Sequence, residues 1–189
     1  MNIMIIGATG QVGIALVEEI RGLDVSLTVI KRREYEIGNK PELGYELVEM
    51  IAPDIVINCA AYTQVNAAEV DGSVENVNNI VPQWLAISCA KLDIPLIHLS
   101  TDYVFDGENA SPYVESDTPR PLNRYGATKL RGENAIIQNL EEHIILRTSW
   151  IFSSFAHNFF LTMNRMFWEK DFVTVVDNQF GCPTSAGSI

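Results

Sequence analysis

Tyr125 and Lys129 are the two residues of this chain whose types and spacing best suit acid–base chemistry. They stand four residues apart at the start of a predicted helix over 124–138, so both side chains project from one helix face. A free phenol has a pKa of about 10, and an ammonium group one turn away lowers that pKa. Such a pair can protonate a carbonyl oxygen while a hydride attacks the carbonyl carbon. Two exposed residues on a helix would show the same spacing.

Thr101 is predicted to bring a hydroxyl group to the same point. It follows Ser100 directly after the apolar run 95–99, which is typical of a buried strand. Residues at the carboxyl ends of parallel strands meet at one edge of a sheet. The Ser-Thr strand end and the nucleotide-binding pattern described next favour the catalytic interpretation over the exposed one. We therefore predict that Thr101, Tyr125 and Lys129 are catalytic.

A glycine-rich turn near the start of the chain predicts a dinucleotide site. The segment Gly7–Gly13 follows the apolar run Ile3–Ile6 and precedes a helical apolar pattern. Gly7 permits a tight turn, Gly10 lets the backbone approach phosphates, and Gly13 lets the helix pack closely on the strand. The spacing is G-x-x-G-x-x-G, and an ordinary strand-to-helix turn is the alternative. The cofactor-binding residues predicted here are Gly7, Gly10, Gln11, Val12 and Gly13.

Apolar, β-branched runs alternate with helical patterns along the chain, which indicates an α/β fold with a parallel sheet covered on both faces. We predict a Rossmann-like, doubly wound sheet with strand order 3-2-1-4-5-6 in one domain over 1–189. The ligand crevice then lies at the carboxyl ends of the strands. The predicted strands are 2–6, 26–30, 55–59, 95–99 and 143–147, with a weaker sixth at 172–176.

Composition excludes several classes of protein. The chain has 189 residues, of which 47% are hydrophobic, and this suits a sizeable core. The net charge of −11 argues against a nucleic-acid partner, which requires a basic face. The sequence shows neither a long apolar span nor a basic leader, so we expect a cytoplasmic protein without a membrane contact. The three cysteines lack a metal-binding spacing, so we expect reduced thiols and no metal.

Six segments together resemble the extended short-chain dehydrogenase/reductases and, within them, the dTDP-4-dehydrorhamnose reductase family. The stretches Ser-Thr-Asp-Tyr-Val-Phe-Asp-Gly and Arg-Thr-Ser-Trp are more specific than the glycine turn. The resemblance implies NAD(P)H-dependent reduction of the C4 ketone of a dTDP-4-dehydro-6-deoxy-L-sugar to dTDP-L-rhamnose. The matching segments are 7–13, 53–63, 100–107, 121–130, 147–150 and 181–184.

The resemblance implies a role for each matching residue. Tyr125 would be the proton donor, Lys129 would lower its pKa and hold the nicotinamide ribose, and Thr101 would bind the substrate carbonyl. Further cofactor contacts would come from Ala60, Ala61, Tyr62 and Thr63, and from Glu36 and Ile37 near the adenine. Substrate contacts would come from Asp102, Tyr103, Trp150 and Asn158. For Asp102, capping of the turn after its strand is a competing role.

The chain also departs from this family. Ala15 stands where some relatives carry a glutamate ligand at a dimer contact, so the resemblance implies no metal, although a homodimer is possible. The family continues well past residue 189, so we expect the substrate-binding part to be largely absent and the cofactor half to be complete. Two alternatives remain: a non-catalytic dinucleotide-binding subunit resembling the regulatory β subunit of methionine adenosyltransferase, and another nucleotide-sugar epimerase or dehydratase of this fold.

The basic run after the second strand predicts the cofactor preference. Lys31, Arg32 and Arg33 stand where an acidic residue would otherwise bind the ribose 2′-hydroxyl. Guanidinium and ammonium groups there can pair with a 2′-phosphate, although an exposed loop would also carry such residues. We expect NADPH to bind at least as tightly as NADH in calorimetric titrations. Tenfold tighter binding of NADH would contradict this prediction.

Overall fold

The computed structural model describes residues 1–30 and 41–189. Five predicted cofactor contacts lie outside the described residues: Lys31, Arg32, Arg33, Glu36 and Ile37. Their placement beside the cofactor therefore stays a prediction. No helix in the described part of the chain is long and apolar enough to cross a membrane.

A parallel sheet forms the centre of the described chain, and this confirms the predicted α/β, Rossmann-like class. Its strand order is β2-β1-β3-β4-β5. β1 pairs on one side with β2, from Asn2 opposite Ser26, and on the other with β3, from Ile3 opposite Ile55. The strands of this sheet are β1 (Asn2–Ile6), β2 (Ser26–Ile30), β3 (Ile55–Asn58), β4 (Leu96–Thr101) and β5 (His143–Thr148).

The strand order differs from the predicted 3-2-1-4-5-6 in two respects. The third strand pairs with β1 rather than with β2, because the chain crosses over the sheet to the other side of β1. The segment predicted as a sixth strand, 172–176, is not a strand, and Phe172 and Val176 are largely exposed. The direction of winding still reverses beside β1, so the crevice expected at this reversal lies between β1 and β3.

Helices cover both faces of the sheet. The helix predicted over 124–138 spans Arg124–Asn139, and a π-helical turn, Asn76–Ile80, lies just before Pro82. A second pair of short parallel strands, β6 (Ile151–Phe152) and β7 (Thr184–Ser185), lies near the C-terminus. The helices are α1 (Gln11–Ile20), α2 (Pro41–Ile51), α3 (Val65–Ala68), α4 (Ser73–Glu75), α5 (Val81–Leu92), α6 (Arg124–Asn139) and α7 (Phe159–Glu169).

β1 shows why the sheet is apolar on both sides. Met4 and Ile6 point into the larger core, which they share with α2, α5 and α6. Ile3 and Ile5 point the other way, into a smaller core closed by α1 and its Ile20. Successive strand residues face opposite sides, so a near-continuous apolar run is required when both sides are covered. β1 therefore ends, and the glycine turn begins, at the edge of the sheet where the parallel strands have their carboxyl ends.

Gly13 sets how closely α1 approaches β1. A Cβ atom at this position would overlap the carbonyl oxygen of Gly7 and the Cα of Ala8, both of which are backbone atoms that cannot move aside. A Cβ atom on Gly10 would meet only Gly7 O, at 3.4 Å, and Gly10 has an ordinary φ of −80°. The two glycines therefore have different physical reasons to be glycine.

We expect Gly13→Ala to lower the free energy of unfolding by about 1–3 kcal/mol, because the added methyl group overpacks the turn. Gly10→Ala is the matched control and is expected to leave stability nearly unchanged while weakening dinucleotide binding. Urea unfolding and calorimetric titration measure the two effects. Equal stability losses in both variants would contradict this account of α1 packing.

Candidate active site at the carboxyl ends of the strands

A cleft of about 430 Å³ opens at the carboxyl ends of β1 and β3. Gly7 and Gly10 line one side of it, and Ala60–Thr63 line the other. The structure thus brings together two segments that are about fifty residues apart in the sequence and were both predicted to bind the cofactor. Asp71, Ser73 and Val77 also line the cleft and were not predicted, because no spacing in the sequence connects them to the glycine turn.

The N-terminus of α1 is built to receive an anion. Its N-cap residue is Gly10, no side chain caps the helix, and its first turn carries no acidic residue. By contrast, Asn123 caps α6 and Asn158 caps α7 through side-chain oxygens. The first backbone N–H groups of a helix have no partner within the helix, and the helix dipole is positive there. The end of α1 therefore suits a phosphate group, and a dinucleotide fits the lining residues.

Thr101 and Tyr125 meet at the end of β4, as predicted. Both side chains are buried, and the Thr101 hydroxyl lies close enough to the phenol to lower its pKa. The Thr101 hydroxyl also donates to Asp102 Oδ1 at 3.2 Å and accepts from the backbone N–H of Tyr103 at 3.2 Å. Thr101, rather than Asp102, is thus the cap of the turn 102–104.

Burial raises the pKa of Tyr125 to about 12, and the nearby Asp102 carboxylate adds to this, whereas the Thr101 hydroxyl beside the phenol acts in the opposite direction. Lys129 was expected to lower the pKa of Tyr125, but it is not among the groups that shift this pKa in the described residues. The described hydrogen bonds of Lys129 go to Leu99 O and to His98 instead. In this state Tyr125 is a protonated phenol at neutral pH, which is the form that a proton donor needs.

Lys129 is almost completely buried below the cleft. Its Nζ donates to Leu99 O at 2.6 Å and lies 3.2 Å from His98 Nε2. Burial lowers the pKa of Lys129 to about 8, against the attraction of the Glu133 carboxylate and of Cys59. The spacing from Tyr125 identified Lys129 in the sequence, but no spacing connects Lys129 to His98.

Asn78 is a second buried group that sequence reasoning missed. Its side chain accepts a hydrogen bond from Tyr62 N at 2.8 Å and donates to Tyr62 O at 3.2 Å and to Thr128 Oγ1 at 3.2 Å. It therefore joins the cleft wall to α6 between Tyr125 and Lys129. Asn78 lies in the π-helical turn, and such turns are frequent at functional sites. The detectable signal was a polar residue within an apolar helix, just before Pro82.

Two of the predicted substrate residues, Tyr103 and Trp150, are aromatic. Tyr103 packs edge-on against the Tyr125 ring, with ring centroids 5.5 Å apart. Trp150 is about half exposed and has a φ of 46°, which is strained for a tryptophan. Gly181 lies against the Trp150 ring, where a Cβ atom would be 2.6 Å from a ring carbon. Glycine at position 181 thus leaves room for the Trp150 ring.

Asn158 is held by hydrogen bonds at the start of α7. It is buried, its Oδ1 accepts from Leu161 N at 2.9 Å, and its Nδ2 donates to Gln11 Oε1 and Ser153 O, each at 3.0 Å. Gln11 in turn accepts from Ser153 Oγ at 2.8 Å. Both side chains are therefore engaged in joining the start of α1 to the segment before α7. Their binding of substrate and cofactor stays a prediction.

Charged groups beside the site are paired. Glu133 is fully buried, and Arg147 Nη2 reaches Glu133 Oε2 at 2.6 Å while Arg147 Nε reaches Oε1 at 3.0 Å. Ser100 Oγ donates to the same carboxylate. Within residues 1–30 and 41–189, no three His, Cys, Asp or Glu side chains are grouped so as to hold a metal ion.

The whole chain, residues 1–189, matches the family model described as the RmlD substrate binding domain. The chain belongs to this family. Among curated members, it is 41% identical to the dTDP-4-dehydrorhamnose reductase of Burkholderia thailandensis, over 100% of this chain and 63% of that protein. It is 38% identical to the Escherichia coli K12 reductase over 98% of this chain. The RmlD-family chain thus spans about 63% of the length of the relatives it matches.

Solved structures of the same family have the same fold. The Clostridium acetobutylicum dTDP-4-dehydrorhamnose reductase superimposes with a TM-score of 0.93 at 34% identity, covering 99% of this chain and 66% of that one. The Bacillus anthracis reductase, solved in complex with NADP, gives a TM-score of 0.92 at 34% identity and covers 98% of this chain and 66% of that one. Identity above 30% over the full chain supports comparison of sites as well as folds.

The buried Lys129 makes stability depend on pH. Its pKa is about 8 in the folded chain and about 10.5 when exposed. Between these values the unfolded chain binds more protons, so the contribution of Lys129 to the free energy of unfolding rises with pH from about 8 to 10.5. We expect wild type to gain stability relative to Lys129→Met across this range in urea unfolding. Lys170→Met, at an exposed lysine, is the matched control. A constant difference between wild type and Lys129→Met would contradict the lowered pKa.

Proposed function

We propose that this chain binds NAD(P)H and forms the cofactor-binding and proton-donating part of a dTDP-4-dehydrorhamnose reductase. The substrate would be a dTDP-4-dehydro-6-deoxy-L-sugar, and the product would be dTDP-L-rhamnose. The observation that carries the proposal is that the buried Tyr125 packs in one cluster with Tyr62, which lines the cleft that begins at the uncapped end of α1. A proton donor and a phosphate-binding turn are both needed at one site for this reaction.

The cleft fits a dinucleotide for three reasons. Glycine at positions 7 and 10 leaves the backbone open, the first N–H groups of α1 face an anion, and uncharged residues at 59–64 form the opposite wall. Bound NAD(P)H would supply a hydride to the carbonyl carbon of the substrate. Lys129 lies below this wall, close to Cys59, and would hold the ribose from there.

Tyr125 would donate its proton to the C4 oxygen of the sugar as that oxygen gains negative charge. Thr101 would donate a second hydrogen bond to the same oxygen, because its hydroxyl already lies beside the phenol. A protonated Lys129 would stabilise the resulting phenolate, since an ammonium group favours a nearby anion. Asp102, Tyr103 and Trp150 would position the sugar ring.

The relatives support the enzyme over the alternatives. Curated proteins at 38–41% identity are named dTDP-4-dehydrorhamnose reductases, and the NADP complex of the Bacillus anthracis protein shows that a relative with this fold binds the cofactor. A non-catalytic dinucleotide-binding subunit would not need a buried Thr101, Tyr125 and Lys129 in one place. An epimerase or dehydratase has no specific observation in its favour.

The decisive experiment uses Tyr125→Phe. Loss of the phenolic proton should lower turnover by about 10²–10⁴-fold, the usual contribution of general acid catalysis, and leave cofactor affinity within a few-fold. Turnover should be measured on these residues joined to the remaining C-terminal part of the Burkholderia thailandensis relative. Cofactor affinity is measured on the 189-residue chain itself.

Tyr113→Phe is the matched control. The Tyr113 hydroxyl donates to Asp106 at 2.8 Å in the polar loop and has no place in the proposed site. Its turnover should equal that of wild type. Wild-type rates in Tyr125→Phe would exclude Tyr125 as the proton donor, and absence of dinucleotide binding to the 189-residue chain would exclude the proposed function.

A further inference from the structure

A chain of buried polar side chains connects the end of β3 to the lysine below the cleft. It runs from Asn58 through His98 to Lys129, and all three side chains are almost completely excluded from solvent. Asn58 Nδ2 lies 3.0 Å from His98 Nδ1, and His98 Nε2 lies 3.2 Å from Lys129 Nζ. Buried polar groups must be satisfied, so the protons in this chain can be assigned by accounting for donors and acceptors.

The accounting begins at the backbone of Ala60. Its N–H can only donate, and it donates to Asn58 Oδ1 at 3.0 Å. This contact fixes the orientation of the Asn58 amide, with its NH₂ group directed at His98 Nδ1. An amide NH₂ group can only donate, so His98 Nδ1 must carry a lone pair and no proton.

The histidine is neutral, because burial holds the pKa of His98 well below its usual value. A neutral imidazole has one N–H, and with Nδ1 bare that proton lies on Nε2. The Nε2–H group then faces Lys129 Nζ and needs an acceptor there. An ammonium group offers only donors, whereas a free amine has a lone pair and can still donate to Leu99 O.

We propose that Asn58 and His98 are positioning residues that favour the free-amine form of Lys129 in the cofactor-free chain. The Asn58 amide selects the Nε2–H form of His98, and this N–H donates to Lys129 Nζ. The significance of this arrangement for catalysis rests on the proposed function. It places control of the lysine charge in two residues that touch neither the predicted cofactor nor the predicted substrate.

Some groups around Lys129 favour its ammonium form, and others favour its free-amine form. The Glu133 carboxylate on α6 favours the ammonium form, but Arg147 on β5 and Ser100 on β4 already neutralise and bond it. Cys59, after β3, favours the ammonium form only as a thiolate, and burial raises the pKa of that thiol to about 12. His98 on β4 faces the amine directly, and burial disfavours the charge.

A functional consequence follows for the pH dependence of turnover. A phenolate forms on Tyr125 during the proposed reaction, and a cationic Lys129 would stabilise it. Turnover should then fall as the pH rises through the pKa of Lys129. Because the Asn58–His98 arrangement lowers that pKa, it should place this fall at a lower pH than burial alone would.

Asn58→Asp reverses the arrangement with a change of one group. A carboxylate accepts from Ala60 N and also from an Nδ1–H of His98, so the imidazole proton moves to Nδ1 and Nε2 becomes an acceptor for a lysine ammonium. The midpoint of Lys129 titration should rise by roughly 1 pH unit, the lower end of the range for a nearby opposite charge, because the imidazole separates the new carboxylate from the amine. Asn109→Asp, in an exposed loop, adds the same charge away from the network and is the matched control.

The test is nitrogen-15 NMR of the histidine rings and lysine amines of the 189-residue chain. The chain has three histidines, so His98 is assigned by substituting the other two. Above pH 8, where a pKa of about 8 leaves Lys129 mainly as the free amine, we expect protonated Nε2 and bare Nδ1 in wild type and in Asn109→Asp, and the opposite in Asn58→Asp. Protonated Nδ1 in wild type would overturn the proposal, and this measurement needs no variant to fold.

The pH profile of turnover is the second measurement, made on the same C-terminally extended protein as above. We expect its descending limb to move to higher pH in Asn58→Asp and to stay in place in Asn109→Asp. A change in rate without a change in the position of this limb would show a structural role only and would overturn the proposal. A chain with the expected imidazole proton but no reductase activity would instead overturn the proposed function alone.

Discussion

The burial of the Lys129 amine beneath the carboxyl end of β4 is the constraint around which this site is arranged. An ionisable group without solvent must find partners, and here they are Leu99 O and His98 Nε2. His98 is then held by Asn58, which is held by the backbone at Ala60. One buried amine thus links β3, β4 and α6, and it connects the cleft wall to the helix that carries the phenol.

The parallel sheet supplies the geometry that this arrangement requires. Because every strand of the main sheet runs in the same direction, the ends of β1, β3 and β4 meet at one edge. Close backbone approaches then hold α6 against this edge. A Cβ atom on Gly126 would overlap Tyr103 O, and one on Gly132 would overlap Asn78 O. These contacts leave little freedom in where Tyr125 and Lys129 lie, so the phenol can be buried and still meet Thr101.

A second set of hydrogen bonds joins the glycine turn to the C-terminal part of the chain. Gln11 begins α1, and its side chain bonds Ser153 and Asn158, which caps α7. α7 itself has no buried residue, and Phe159 and Trp168 are largely exposed. This helix is therefore held mainly through its first residues and the segment before it. The polar link explains why a buried asparagine stands at a position where sequence comparison suggested a ligand contact.

Local pattern and spacing were sufficient to predict much of the fold and part of the site. Alternating apolar runs and helical patterns predicted the five strands of the sheet nearly to the residue, because burial on both sides requires such runs. They did not predict the neighbour of β3, since a crossover can return to either side of β1 with the same local pattern. They also predicted a strand at 172–176 from apolar composition, although the described chain offers that segment no strand partner.

By itself, the sequence determined the chemistry that was available: a glycine turn for phosphate, a phenol and an amine one helical turn apart, and a hydroxyl at a strand end. Spacing on one element is local, so these could be found without coordinates. Only the tertiary structure decided the protonation of that chemistry. The pKa of Tyr125 and the partners of Lys129 depend on burial and on His98, which lies 31 residues away in the chain but 3.2 Å away in space. Desolvation and hydrogen-bond partners are properties of packing, and no sequence spacing encodes them.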